Sequence, residues 1–226
     1  MFKVVLYTYY IKMSSTNRSN ARSLHCADYY TTPQKPIKEF LNKFCQDENI
    51  DLSSQKYLIL DPCAWWNPER TFLDDKWETV EEKAQDMSYP AVLFEMWADY
   101  NKIITNDIRE DSPAKYHTNF LESKKKDIYD IVITNPPFNI AQDIIERSLD
   151  ICKEWGYVIM LLRLNYFGWK IRQEFWKRNM PYRCYVHNRR MGFTPDWKTD
   201  SIEYGHFVFK KSYNPKETKL SIIFDF

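Results

Sequence analysis

Residues 131–140 read IVITNPPFNI, and the reading of this stretch decides the fold. An apolar run of strand length ends on Asn135, and Pro136 and Pro137 follow. Proline has no N–H to donate to a ladder, so a buried strand stops here and the chain is held rigid. The next residues, NIAQDIIERSLDICKEWG (139–156), put Ile140, Ile144, Ile145, Leu149 and Cys152 on one face of a helix, which Gly156 is expected to close. A strand, a fixed turn and an amphipathic helix form the first two parts of a parallel crossover unit.

The pattern repeats on both sides. Upstream, Ile37, Phe40, Leu41 and Phe44 recur at helical spacing after Pro33 and Pro36. KYLILD (56–61) is a short buried strand ending in Asp61, 88–100 reads as a helix, and NKIITND (101–107) is a strand ending in Asp107. Downstream come a strand at YVIMLL (157–162), a helix at 169–179, a strand at 182–188 and an alternating strand at 202–209. Strands interleaved with helices predict an α/β fold with a mostly parallel twisted sheet and an antiparallel hairpin at its C-terminal edge. Residues 2–11 look strand-like and 14–23 are polar without periodicity, so residues 1–27 are set apart as an N-terminal extension from a domain at 28–226. Residues 65–86 form an acidic insertion.

Composition narrows the function. At 226 residues, 44% hydrophobic and 28% charged, the chain suits one globular domain. Its longest apolar run falls far short of the roughly 20 residues that span a bilayer, so no membrane partner is expected. The five cysteines are an odd number with no CxxC pair, which fits a reducing cytoplasm, and the four histidines are scattered, so no metal is assigned. Charge is uneven: residues 163–190 carry eight Lys or Arg against one acid, Glu174, with Trp169, Phe175, Trp176 and Tyr182 between them. Such a mixture suits phosphate contacts and base stacking, or equally a solvated helix over the core.

The turn at Asn135 has a chemistry of its own. In open α/β sheets ligands bind beyond the carboxyl ends of the strands, where Asp61, Asp107 and Asn135 are expected to converge. Pro136 restricts the backbone of Asn135 and aims its side chain, and the carbonyls of Asn135 and Pro136 are expected to stay free. A side-chain amide oxygen and a carbonyl beside the ring of Phe138 suit a flat heterocycle with an exocyclic amine. Accepting both hydrogens of that amine localises its lone pair for attack on a methyl donor, and Phe138 stacks on a base swung out of its helix.

The order YYTTP, LDPCA, NDI, ITNPPFNIAQDII, GYVIMLLRLNYFG and FTPDWKTDSIEYGHFVF resembles the phage-type DNA adenine-N6 methyltransferases from about residue 28 to the C-terminus. The resemblance implies a Rossmann-like class I methyltransferase domain, S-adenosylmethionine as cofactor, double-stranded DNA as partner and a monomer. It implies that Asn135, Pro136, Pro137 and Phe138 are catalytic. Thr32, Pro33, Asp61, Pro62, Cys63, Ala64, Asp107 and Asn119 would bind the cofactor, with Asp107 on the ribose and Asn119 near the adenine. Arg163, Lys170, Arg172, Arg189, Arg190 and Lys198 would meet DNA through small elements within 163–205. Where the family continues into glycine after DPCA, this chain has Trp65 and Trp66. A non-catalytic DNA-binding protein on the same scaffold, and the same chemistry on RNA, stay open beside this reading.

Overall fold

A computed structural model describes residues 31–66, 70–73, 79–82, 86–193 and 201–224. The expected extension at 1–27, most of the YYT stretch before Pro33, part of the acidic insertion, and Lys198 lie outside the described residues.

The order along the chain is α1 (Gln34–Glu48), β1 (Ile59–Asp61), β2 (Arg70–Leu73), β3 (Thr79–Glu82), α2 (Ser88–Glu95), β4 (Ile103–Thr105), β5 (Tyr129–Thr134), α3 (Ala141–Ile151), β6 (Cys152–Arg163), α4 (Gln173–Arg178), β7 (Arg183–His187), β8 (Tyr204–Lys210) and β9 (Lys219–Ile223). Seven strands form one sheet in the order β4-β1-β5-β6-β8-β7-β9. β4, β1, β5 and β6 are parallel, β8 runs against β6 and β7, and β9 returns parallel to β7. Within the acidic insertion β2 and β3 pair antiparallel.

The side-chain pattern of β5 fits its place inside the sheet, between β1 and β6. Ile131 and Ile133 belong to the layer with Ile37, Phe40, Leu41 and Phe44 of α1, and Val132 joins Ile144, Ile145 and Ile151 of α3 in the other. Burial on both faces makes the strand read as a continuous apolar run, as parallel strands do. α1 ends at Asn49 in the left-handed region (φ 53°), whose N–H donates to the Cys45 carbonyl.

Three expectations are corrected. The helix after Asn135 ends at Ile151 rather than Gly156, and the chain passes directly into β6. Between the pairs Tyr129–Cys152 and Ile131–Tyr157 β6 carries an irregularity, and a Cβ on Gly156 would stand 2.6 Å from Cys152 Sγ and 2.7 Å from the Asp130 carbonyl. Gly156 therefore serves a bulged crossing of two backbones and not a helix cap. The β7–β8 pair is antiparallel as expected, but β9 takes the edge beyond it. The helix read over 88–100 stops at Glu95, and Trp97 turns the chain at φ 66°.

Candidate active site

The parallel register sets Asp61 beside Thr105 and brings the carboxyl ends of β1, β4 and β5 to one rim. Asn106, directly after β4, stitches the rim together. Its Nδ2 donates to the carbonyls of Pro62 (3.1 Å) and Thr118 (3.0 Å), and its Oδ1 accepts from the Thr118 hydroxyl (2.8 Å) and N–H (3.2 Å). Its carbonyl accepts from Ala64 N–H (2.8 Å) and its N–H donates to the Asp61 carbonyl (2.9 Å). Pro62, Cys63 and Ala64 thus form a fixed turn after Asp61, and Asn106 is a site-building residue that sequence reasoning missed. Its signal was its place one residue beyond an apolar strand.

Asp61 is buried, and its carboxylate accepts from Thr134 Oγ1 (2.7 Å) and Cys63 N–H (3.2 Å). Burial pushes its carboxyl up to about 7 against the pull of these bonds, and the nearby Asp107 charge adds to the rise. Burial also raises the Cys63 thiol well above its usual range, so that side chain is an inert neighbour.

Asn135 is only 4% exposed. Its Nδ2 donates to Thr32 Oγ1 at 3.0 Å, which fixes the amide plane, and its Oδ1 is buried with no hydrogen-bond partner among the described residues. Thr32 is placed by Pro33, the residue before α1 (φ −57°). The hydroxyl of Thr31 and the indole N–H of Trp66 are further buried polar atoms without a described partner. Native interiors leave few such groups, since each costs about 1–3 kcal/mol.

The carbonyl of Asn135, expected to be free, is not: it accepts from Trp65 Nε1 at 2.5 Å. An indole N–H reaching across the rim finds one of the two acceptors that the prolines leave unused. No described residue donates to the carbonyl of Pro136, which is buried, whereas that of Pro137 caps the turn into α3 through Ile140 N–H (3.1 Å). Phe138 is half-buried, with the Arg163 guanidinium 4.7 Å from its ring centroid and the Tyr204 ring at 6.0 Å. Arg163 Nε also donates to the Tyr204 hydroxyl (3.2 Å).

Asp107 follows β4 by two residues and is committed within the chain. Its Oδ1 accepts from Arg109 N–H (2.9 Å) and Nε (3.1 Å), and its Oδ2 from Arg109 Nη2 (2.7 Å). The Arg109 guanidinium lies 5.5 Å from the Trp65 ring centroid. A carboxylate offers about four lone-pair sites, so Asp107 retains limited capacity for ribose hydroxyls. Asn119 is occupied locally: its Oδ1 accepts from Leu121 N–H (3.2 Å) and its Nδ2 donates to Glu122 Oε1 (2.8 Å).

The basic stretch is narrower than its composition suggested. Arg183 pairs with Asp47 (2.7 Å) and Glu48 (3.1 Å), Arg178 with Glu146 (3.3 Å), Arg189 with Glu39 (3.9 Å) and Arg190 with Glu203 (3.3 Å). Acids distant in sequence neutralise it, which a local charge count cannot reveal. Arg172 lies on the Tyr166 ring (3.7 Å) and near Trp169 (4.9 Å), and Lys170 is exposed. Among the described residues no group of histidines, cysteines and acids could hold a metal ion, and no helix is long and apolar enough to cross a membrane.

No family model matches the chain, and no curated protein is similar to it. Among solved structures it is similar to a Listeria monocytogenes protein assigned to the class I S-adenosylmethionine-dependent methyltransferases, at 14% identity and TM-score 0.51 over 89% of this chain and 68% of that one. It is similar to the type IIG restriction endonuclease BpuSI (12% identity, TM-score 0.56), over 85% of this chain but 27% of that one. A Pyrococcus horikoshii protein assigned as an RNA methyltransferase matches at 12% identity and TM-score 0.51, over 80% of this chain and 86% of that one. Identities this low speak for the fold alone. Sheet order, rim and neighbours agree: the chain has the Rossmann-like fold of the class I methyltransferases.

Proposed function

We propose that the chain transfers a methyl group from S-adenosylmethionine to the exocyclic N6 of adenine in double-stranded DNA. The observation that carries this reading is the buried Oδ1 of Asn135, an acceptor without a partner, in an amide whose other end is held by Thr32. Together with the Pro136 carbonyl it supplies two acceptors for the two hydrogens of an aromatic amine. Taking both up draws the nitrogen towards tetrahedral geometry and localises its lone pair. Preorganised acceptors of this kind act without reorganisation when the reaction occurs.

S-adenosylmethionine supplies an electrophilic methyl on a sulfonium. The residues that would hold it are Thr31 and Thr32, Asp61, the 62–64 turn and Asp107, and the open polar atoms of Thr31 and Trp66 fit such a ligand. Trp65, bonded to the Asn135 carbonyl, stands where the resembling family has glycine and fixes the Asn-Pro peptide from the cofactor-side loop. Asp61, whose carboxyl is raised to about 7, is poised to ionise beside a ligand amino group. Phe138, with Arg163 on its ring, offers the stacking surface for an extruded base.

A second reading, a non-catalytic DNA-binding protein, draws on one observation: Arg109 already holds the Asp107 carboxylate. Labelled S-adenosylmethionine incubated with unmethylated duplex DNA and, separately, with RNA tests both, with the digested nucleosides identified by mass. N6-methyladenine in DNA is the expected product. Label in RNA alone moves the same chemistry to that substrate. Absence of transfer, with no cofactor binding by calorimetry, favours the second reading.

A further inference from the structure

We propose that the groove between residues 167–180 and the 214–216 turn binds an unpaired DNA strand, one base against its tryptophans and the flanking phosphates on its lysines. The proposal deepens the DNA reading above and rests on it for the identity of the polymer. The groove is open to solvent and offers about 690 Å³ between Phe167, Trp169, Trp176, Lys170, Lys177 and Lys216. It opens from the turn that follows β6, whose last residue, Arg163, lies on Phe138.

Three observations point to a base rather than to bare phosphate. Trp169 is 68% exposed yet sits at φ 71°, ψ 113°, while Gly168 beside it takes φ −71°. A non-glycine residue there is strained, and such strain is retained where it positions a functional side chain. The Arg172 guanidinium, 4.9 Å from the Trp169 ring, holds the indole out. The second indole, Trp176, packs on Phe167 at 5.4 Å, and its Nε1 is buried without a described partner. The Trp176 ring lines the same groove and offers a second stacking surface. Lys170 and Lys216 are exposed at the rim, and Glu174 pairs with Lys177 at 2.7 Å. In a closed duplex the base faces are stacked on each other, so the arrangement selects an unstacked base.

The test uses the full chain without cofactor, and fluorescence anisotropy of labelled DNA of about 12 nucleotides, single-stranded or as a blunt duplex. Glycine suits the backbone of residue 169, so Trp169→Gly is expected to keep or raise Tm. The same change should weaken single-strand binding roughly tenfold or more and leave duplex binding within about threefold. Trp169→Phe, which keeps a stacking ring, should restore most of the affinity. Lys170→Ala with Lys216→Ala should flatten the single-strand salt slope by roughly one unit. Single-strand affinity of Trp169→Gly within about twofold of the parent overturns the proposal, as does an equal loss on duplex; tighter binding of an RNA strand overturns its assignment to DNA. No methyl transfer enters these readouts, so the groove and the active site can fail independently.

Discussion

The two halves of one rim have opposite polar accounts. After β4 the side chains of Asn106 and Asp107 are engaged by the chain itself: Asn106 bonds on all sides, and Asp107 is gripped by Arg109. After β5 the Asn135 Oδ1 is buried with no described partner, and so is the hydroxyl of Thr31, which lies just before α1. On the proposed reading a ligand completes the β5 half, whereas the β4 half needs a bond broken first. On that reading the chemistry sits at Asn135, and Arg109 competes with a ligand for the Asp107 carboxylate.

Thr32→Val strikes the open half hardest. The Asn135 Nδ2 loses its acceptor, a buried donor is stranded and the amide is no longer oriented, which corresponds to about 1–3 kcal/mol, or roughly a fivefold to hundredfold loss in transfer rate. Thr32→Ser keeps the hydroxyl and should retain most activity in the same assay; if Val and Ser behave alike, Thr32 does not position the amide.

Asp61 lies between the halves, and pH separates it from the core beneath. His187 and His206 are buried, joined at 2.9 Å, and His206 meets the Tyr89 hydroxyl at 3.0 Å. Burial lowers His187 from 6.5 to about 4 and carries His206 in the same direction, so their stabilising contribution is present above 6.5 and is lost as pH falls towards 4. Asp61 works the other way: its folded pKa is raised from 3.8 to about 7, so its contribution is present below 3.8 and is lost as pH rises towards 7. Two histidines outweigh one acid, and urea stability should rise with pH between these limits. Asp61→Asn should steepen that rise by about 1.4 kcal/mol per pH unit. An unchanged slope in the variant would mean that Asp61 is ionised in the native protein.

Trp65→Phe removes the bond that ties the cofactor-side loop to the Asn135 carbonyl and leaves a ring beside Arg109. A net hydrogen bond is worth about 0.5–1.5 kcal/mol, so the transfer rate should fall by between twofold and tenfold with the fold intact. No change would show that the Asn-Pro turn is rigid without Trp65.

Arg109→Ala carries the smallest effect and tests the closed half. Freed of its partner, the buried Asp107 carboxylate is left with fewer donors in the free protein, which ligand hydroxyls can replace. Tm should therefore drop slightly while S-adenosylmethionine binds several-fold tighter by calorimetry, an effect of about 1 kcal/mol. Weaker binding would place Arg109 itself on the ligand.

The strand ends Asp61 and Asn135 were legible because continuous apolar runs stop at them, and the two layers followed from Ile37, Phe40, Ile144 and Ile145 at helical spacing. What escaped depends on distance in sequence. Nothing near Trp65 announces that its N–H reaches residue 135, and nothing near Arg183 announces Asp47. Residues 152–156 keep a helical rhythm although the chain has left the helix, because the constraint on Gly156 comes from Asp130 on a neighbouring strand. β9 was missed because Lys219, Leu220 and Ile222 are exposed, so it lacks the pattern of a buried strand.

The central claim is that Asn135 acts on the amine and not on the methyl donor. Single-turnover methyl transfer and the Kd for S-adenosylmethionine, measured on one preparation of Asn135→Ala, test it most directly. Loss of a preorganised acceptor should slow transfer roughly a hundredfold to a thousandfold while Kd stays within a few-fold of the parent. Transfer within a few-fold of the parent, or a Kd that collapses along with the rate, would contradict it.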